Sequence, residues 1–380
     1  MRDVVALGIG QTVFGKHPDK SAHDLGQEAV GAALKDCGID PRDIQVAYAA
    51  RAINATTDCQ KIMMAHGVTD IEMFNVQNAC AGGSTAVRGV WKDVASGLYD
   101  VGIAIGVEAI TSTAVASAPL SASQDLESAL GLSMPALFAN IARRQLDTQD
   151  VTIRDFARVS AKNHRHAVGN PYAQYQKELT EDEILESRMI CDPITLLQCC
   201  PNTDGAAAVV LCSLDYARKH TTKPIFVTGS SLVSGSYAFD QEDITVFDFG
   251  RSAVDDAYEM AGIDPGDINV VEIHDAFANE ELIRYEDLKL CNPGDGAALL
   301  RSGDTELGGR VPVNPSGGLL SLGHPLSASG VRVVADIVRQ LRGDAGKTQV
   351  ADAKVGVAHM LGGVVTGLQG GACGIHVLVR

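Results

Sequence analysis

Short, wholly apolar runs recur along the chain, with helically periodic stretches between them. The runs are Val4–Ile9, Val46–Ala50, Val101–Gly106, Ala206–Leu211, Ile225–Gly229, Val270–Ile273, Val355–Ala358 and Ile375–Val379. Unbroken apolarity over so few residues predicts strands buried on both faces. Helical patterns over 22–36, 84–96, 250–261, 276–288 and 329–342 predict amphipathic helices. The alternation predicts an α/β fold with mostly parallel sheets.

Two of these stretches are copies. Residues 26–44 read GQEAVGAALKDCGIDPRDI and residues 250–268 read GRSAVDDAYEMAGIDPGDI. Each predicts a helix, a glycine C-cap, a turn and the entry to a strand. Matching elements imply two similar halves, 1–222 and 223–380, with chemistry expected at strand ends and helix starts where the halves meet. Residues 115–198 depart from the pattern. They are Ser/Ala-rich, then helical and more polar, which predicts a lid-like subdomain inserted into the first half.

Composition narrows the reading. The net charge of −16 argues against nucleic acid as a partner. The nine cysteines lack metal-like CxxC spacing and fit a reducing cytosol, so a cytoplasmic location is expected. The apolar run in MRDVVALGIGQTVFG is too short for a signal or membrane segment, and IHVLVR reads as a strand, so no membrane association is expected.

Four stretches carry candidate chemistry. In VQNACAGGSTAVRG, an extended run ends at Cys80 and Gly82-Gly83-Ser84 lead into a helix. A thiol at a helix mouth is a candidate nucleophile, because the dipole and free N–H groups favour a thiolate. A small buried Cys in a tight turn is the plainer alternative. In VNPSGGLLSLGHPLSASG, Pro325 keeps the helix from starting at His324, which leaves that imidazole on a loop near a helix beginning at about Ser329. It is a candidate base or oxyanion ligand, or simply a backbone cap. In VVEIHDAFANEEL, His274 ends a strand, where α/β proteins place ligands, and Asp275 suits an N-cap. In VGVAHMLGGVVTGLQGGACG, His359 follows a strand. Backbone N–H groups at Gly362-Gly363 or Gly370-Gly371 could form an oxyanion hole. One Cys and three His fit covalent acyl transfer better than a zinc site, for which no ligand spacing is present.

These motifs together resemble the thiolases, specifically the sterol carrier protein type. The carriers are CAGGSTA at 80–86, HDAF at 274–277, NPSGGLLSLGHPLSASG at 314–330, KNHRHAVGNPYAQYQ at 162–176 and LQCCPNTDGAAA at 197–208. The resemblance spans nearly the whole chain. It implies a five-layered αβαβα fold with two similar halves and a loop domain. It also implies a homodimer or tetramer, acyl-CoA substrates, coenzyme A as a substrate with no permanently bound cofactor, and no metal. By motif match, Cys80 would take the acyl group, His324 would activate it and bind a thioester oxygen, and His274 would line that oxyanion hole. Lys162, Arg165 and Arg143 of the loop domain are candidates for coenzyme A phosphates, against a plainer reading as a solvated face. Residues 117–139 are expected to line the acyl or pantetheine tunnel.

Two positions depart from the family pattern. Relatives of this type carry a second Cys in the HDxF motif, where this chain has Ala276. Other thiolases take it from a C-terminal Cys-x-Gly, where this chain has Met360 or Leu368. The acid/base at the enolate carbon must then come from elsewhere, with His274 first, His359 second and Cys373 third. The leading function is thiolytic cleavage of a 3-oxoacyl-CoA or the reverse Claisen condensation. The alternatives are retro-aldol cleavage of a 3-hydroxyacyl-CoA and a noncatalytic acyl-CoA- or lipid-binding scaffold. Some thiolases of this type, benzoylsuccinyl-CoA thiolase among them, work with a small partner. That partner joins a zinc ribbon to an oligonucleotide-fold domain, and such a subunit is a candidate here.

Overall fold

The computed structural model describes residues 1–53, 56–111, 126–236, 243–365 and 368–380. The first half runs β1 (Val4–Gln11), α1 (Ala22–Cys37), β2 (Val46–Ala50), α2 (Asp58–Met64), β3 (Glu72–Val76), α3 (Gly82–Ser96) and β4 (Val101–Glu108). The polar insertion follows as α4 (Leu126–Ala129), α5 (Met134–Thr148), α6 (Ile153–Ala167) and α7 (Glu181–Leu185), with the small hairpin β5 (Met189–Cys191) and β6 (Ile194–Thr195). β7 (Gly205–Ser213) and α8 (Leu214–Ala217) lead to β8 (Ile225–Val233), α9 (Asp248–Ala261), β9 (Val270–Glu272), α10 (Ala278–Asp287) and α11 (Gly296–Ser302). The chain ends with α12 (Leu326–Arg342), β10 (Val355–Val365) and β11 (Gln369–Val379).

The large sheet has the order β3-β2-β4-β7-β1-β8-β11-β10-β9. Each repeat copy occupies the same place in its half: β1-α1-β2 in one, β8-α9-β9 in the other. Both helices end on a left-handed glycine, Gly38 and Gly262, each at φ 66°. The copies also pack alike. A Cβ on Gly8 of β1 would lie 2.6 Å from the Ala33 carbonyl of α1, and one on Gly229 of β8 would lie 2.3 Å from the Ala257 carbonyl of α9. Only glycine lets helix and strand approach so closely. Helices α3 and α12 pack on each other and on the strands of both halves. With α1 and α9 on the outer faces, this makes five layers. Nearly all of α12 is buried, as a middle-layer helix must be.

The expectation of mostly parallel sheets is corrected. Among the described residues only β2–β3, β2–β4 and β9–β10 pair in parallel. The β1–β7, β1–β8, β4–β7, β8–β11 and β10–β11 ladders are antiparallel. The reason is connectivity. β10 and β11 form a hairpin, and the long insertion between β4 and β7 lets the chain return in the opposite direction. β3 was not expected as a strand. It is a sheet edge with little burial, in which Glu72 and Asn75 interrupt the apolar residues, so the apolar-run criterion passes over it. No described helix is long and apolar enough to cross a membrane.

Candidate active site

The nucleophile turn is built by close backbone packing. Ala79, immediately before Cys80, adopts a left-handed φ of 47°. Its carbonyl accepts hydrogen bonds from Gly82 N at 3.0 Å and Ser327 Oγ at 3.2 Å. Helix α3 then starts at Gly82, so Cys80 stands at its mouth. Gly362 of β10 abuts this turn, where an added Cβ would lie 2.1 Å from the Asn78 carbonyl and 2.3 Å from Ala81 N.

Pro325 occupies the N-cap of α12, and the helix starts at Leu326, three residues earlier than the periodicity predicts. His324 precedes it on the loop. Its backbone N–H donates to Thr203 Oγ1 at 3.1 Å, and its Nδ1 lies 2.9 Å from Ser329 Oγ. The Ser329 hydroxyl donates to the Pro325 carbonyl at 3.4 Å. It therefore accepts from Nδ1–H, which leaves the Nε2 lone pair free. Beneath the loop lies a buried ion network. Arg332 Nη1 contacts Glu272 Oε2 at 2.6 Å and Ser316 Oγ at 3.0 Å, tying β9, the Gly-rich loop and α12 together.

His274 follows β9. Its Nδ1 lies 2.8 Å from Glu280 Oε1, and its ring meets that of His324 edge-on, with centroids 5.4 Å apart. Asp275 is not the helix cap expected from the sequence, since Phe277 holds that position. Asp275 instead clamps the Gly-rich loop, accepting from Leu319 N at 2.6 Å and Asn163 Nδ2 at 2.8 Å. Gly318, at φ 60°, passes so close that a Cβ there would lie 2.2 Å from Asp275 Oδ2.

The Cys80 thiol and one ring nitrogen each from His274 and His324 all lie within 4.8 Å of one another. The Nε2 atoms of both histidines have no hydrogen-bond partner. The trio opens on a cavity of about 390 Å³. Its walls are mostly apolar, with Phe138 stacked on Phe277 at 4.5 Å and with Phe247 and Phe249 also on the lining. Gly362, Gly363 and Gly370 border it, while Gly371 packs behind, against the Gly362 carbonyl. Of the expected tunnel residues 117–139, Met134, Pro135, Leu137 and Phe138 line the cavity; 112–125 lie outside the described residues.

The electrostatics correct one expectation. Burial pushes the Cys80 thiol up to about 12, and the charges of Glu280 and Glu108 add to the shift. The helix mouth does not outweigh this, so the resting group is a thiol and a thiolate must be made by proton transfer. Burial, with a smaller push from His274, holds His324 well below its ordinary value, so it is a neutral acceptor.

Other predicted residues lie elsewhere. His359 is wholly buried in β10 and off the cavity wall; its Nδ1 accepts the His274 backbone N–H at 3.4 Å. Cys373 is buried in β11, paired with Leu361. Lys162 cannot meet coenzyme A phosphates. It is wholly buried and bonds Glu281 at 2.9 Å, the Val313 carbonyl at 2.9 Å and Asn163 at 2.6 Å. Arg165 pairs with Glu306 at 2.5 Å beside a different cavity, and Arg143 pairs with Asp192 on the surface. Sequence reading missed Glu280 as a partner of His274, and it missed Cys200. Cys200 lines the cavity with its backbone N–H on the Ala276 carbonyl at 2.8 Å. Glu280 reaches His274 across the start of α10, and Cys200 meets Ala276 from a distant part of the chain, so no periodic signal marks either pair.

Comparison with known proteins bears on the family and the fold. Residues 4–215 match the family model "Thiolase, N-terminal domain" and residues 230–369 match "Thiolase C-terminal domain-like". The chain is 39% identical to an acetyl-CoA acetyltransferase of Methanothermobacter thermautotrophicus, covering 100% of both chains. It is also 39% identical to the benzoylsuccinyl-CoA thiolase subunit BbsB of Thauera aromatica, covering 95% of each. Among solved structures, an Ltp2-ChsH2(DUF35) aldolase superimposes with a TM-score of 0.87 at 27% identity, over 100% of this chain and 98% of that one.

Proposed function

This chain belongs to the thiolase family, and from that premise we propose that Cys80 carries the acyl group cleaved from a 3-oxoacyl-CoA. The protein is an acyl-CoA acyltransferase. The observation that carries the site assignment is the convergence of one thiol and two imidazoles, each with an unpartnered Nε2, on the wall of an apolar cavity. His324 Nε2 takes the Cys80 proton as sulfur attacks the 3-oxo carbon. The C2–C3 bond breaks, and the acyl group stays on Cys80. The departing enolate needs a proton at C2, and His274 Nε2 is the carrier we assign. Coenzyme A then loses its thiol proton to His274 and attacks the acyl-cysteine, and Cys80 sulfur leaves with the proton returned by His324. The backbone N–H of Cys80 and a glycine of 362–363 stabilise the acyl oxygen. In the condensation direction the same steps reverse.

Coenzyme A is here a substrate, with no resident cofactor or metal. We read the protein as a cytoplasmic homodimer or tetramer. The exposed edge strand β3 supports assembly between copies. Two relatives are named as parts of larger assemblies, BbsB as a subunit and the aldolase as Ltp2-ChsH2(DUF35). They support a small zinc-ribbon, oligonucleotide-fold partner as a further subunit.

The aldolase neighbour makes retro-aldol cleavage the reading to exclude. That reaction needs no acyl-enzyme. The test is incubation with a panel of 3-oxoacyl-CoAs, with and without co-purifying protein, followed by peptide mass mapping. An acyl group on Cys80, lost in Cys80→Ser together with thiolysis, supports acyl transfer. Turnover of a 3-hydroxyacyl-CoA that survives alkylation of Cys80 refutes it.

A further inference from the structure

Glu280 is wholly buried in the first turn of α10 and lines the cavity. Its Oε1 is 2.8 Å from His274 Nδ1 and 3.6 Å from Arg284 Nε. Its Oε2 has no hydrogen-bond partner. A half-satisfied carboxylate beside apolar walls costs about 1–3 kcal/mol or more. The carboxylate does not cap its own helix: Phe277 occupies the α10 N-cap position without a side-chain hydrogen bond, and Glu280 turns to His274 and Arg284 rather than to the free helix N–H groups.

We infer that Glu280 is the positioning residue of a carboxylate–imidazole couple that stands in for a second catalytic thiol. The inference rests on the acyl-transfer reading above. The carboxylate binds Nδ1–H, which fixes the ring orientation and turns Nε2 toward Cys80. When Nε2 holds a proton, the positive charge of the ring lies beside the Glu280 carboxylate. In the cleavage step the Nε2–H bond breaks and a C2–H bond forms on the enolate, leaving a neutral ring. In the second half-reaction the S–H bond of coenzyme A breaks and the Nε2–H bond is restored. The Nδ1–H bond to Glu280 persists throughout, so the couple returns to its starting state and no further reactant is consumed.

The competing group is Cys200, which borders the same cavity next to Ala276. Burial raises its thiol well above the ordinary value, with further increases from Cys199 and Cys80, so it is the poorer donor and acceptor near neutral pH. Two geometric facts favour the couple. His274 belongs to the trio within 4.8 Å that includes the Cys80 thiol, and its free ring nitrogen has no other partner.

The test separates acylation from proton transfer. Glu280→Gln keeps the side-chain size and a hydrogen-bond acceptor but removes the charge. Acetylation of Cys80 by acetyl-CoA is followed by mass spectrometry, and exchange of the acetyl-CoA α-protons is followed in deuterated water. Glu280→Gln should slow exchange by about 100-fold or more, the range expected for losing general acid–base help, and acetylation by less, because the coenzyme A thiolate is a far weaker base than the enolate carbon and leaves with little help from His274. Glu280→Asp, which keeps the charge, should fall between. In His274→Ala, adding Glu280→Gln should cost no further exchange, a coupling that a merely structural role would not produce. Cys200→Ala should keep exchanging. Exchange in Glu280→Gln at the unaltered rate, or loss of exchange in Cys200→Ala, overturns the couple alone. Absence of any Cys80 acylation in the unaltered protein overturns the acyl-transfer reading and the couple with it.

Discussion

Removing the His324 imidazole should make Cys80 depend on hydroxide. The thiol is pushed up to about 12 by burial and by the Glu280 and Glu108 charges. Near neutral pH it then lies about five pH units from ionising, a gap of roughly 7 kcal/mol against the free thiolate. Concerted transfer to a neutral His324 avoids forming that thiolate in advance. Such assistance is typically about 10²–10⁴-fold. His324→Ala should therefore lower the rate of Cys80 acylation by about that factor, or roughly 3–5 kcal/mol. Its residual rate should rise about tenfold per pH unit from 7 to 10, because the raised thiol is still protonated throughout that range. Single-turnover acylation by an acyl-CoA, quenched and read by mass spectrometry, measures the rate. Iodoacetamide labelling across the pH range measures the thiol directly. A labelling midpoint at or below pH 8 in His324→Ala, or acylation slowed less than about tenfold, would refute the reasoning.

Three further outcomes test other parts of the structure. Lys162→Met should leave Glu281 buried without its cation and destabilise the fold by about 3–5 kcal/mol, read by denaturant unfolding; a raised Michaelis constant for coenzyme A with unchanged stability would contradict its buried placement. Gly362→Ala should drive a Cβ into the Asn78 carbonyl and Ala81 N, misplacing Cys80 and lowering acylation on the order of 100-fold; a fully active variant would show that the turn has room. Burial raises the Glu108 carboxyl from 4.5 to about 8, so the folded state holds more protons than the unfolded one between those values. Stability from this group is present at low pH and falls as pH rises through that window, by a few kcal/mol at most. Glu108→Gln should flatten the fall, and an unchanged slope in unfolding experiments at pH 5 and pH 8 would refute it.

Glycine, proline and apolar runs impose local constraints, and these were legible in the sequence. Gly38 and Gly262 end matching helices because only glycine accepts that φ cheaply. Pro325 keeps His324 out of α12 because its ring leaves no place for a preceding helical turn. The repeat marked two matching helix–strand units, and the motifs marked the turns that bring Cys80, His274 and His324 together. Tertiary structure decided what depends on direction and on neighbours. Apolar runs carry no polarity, so the antiparallel β4–β7 and β10–β11 ladders could not be read from them. Lys162 resembles a solvated cation until α6 and α10 enclose it with Glu281. Cys80 illustrates the same division. Its position at a helix mouth follows from the residues beside it, and the local field there favours a thiolate. Its actual preference for the thiol follows from burial and from Glu280 and Glu108, which are distant in the chain and close in space. Desolvation and Coulomb interactions depend on three-dimensional distance, and only the folded chain sets that distance.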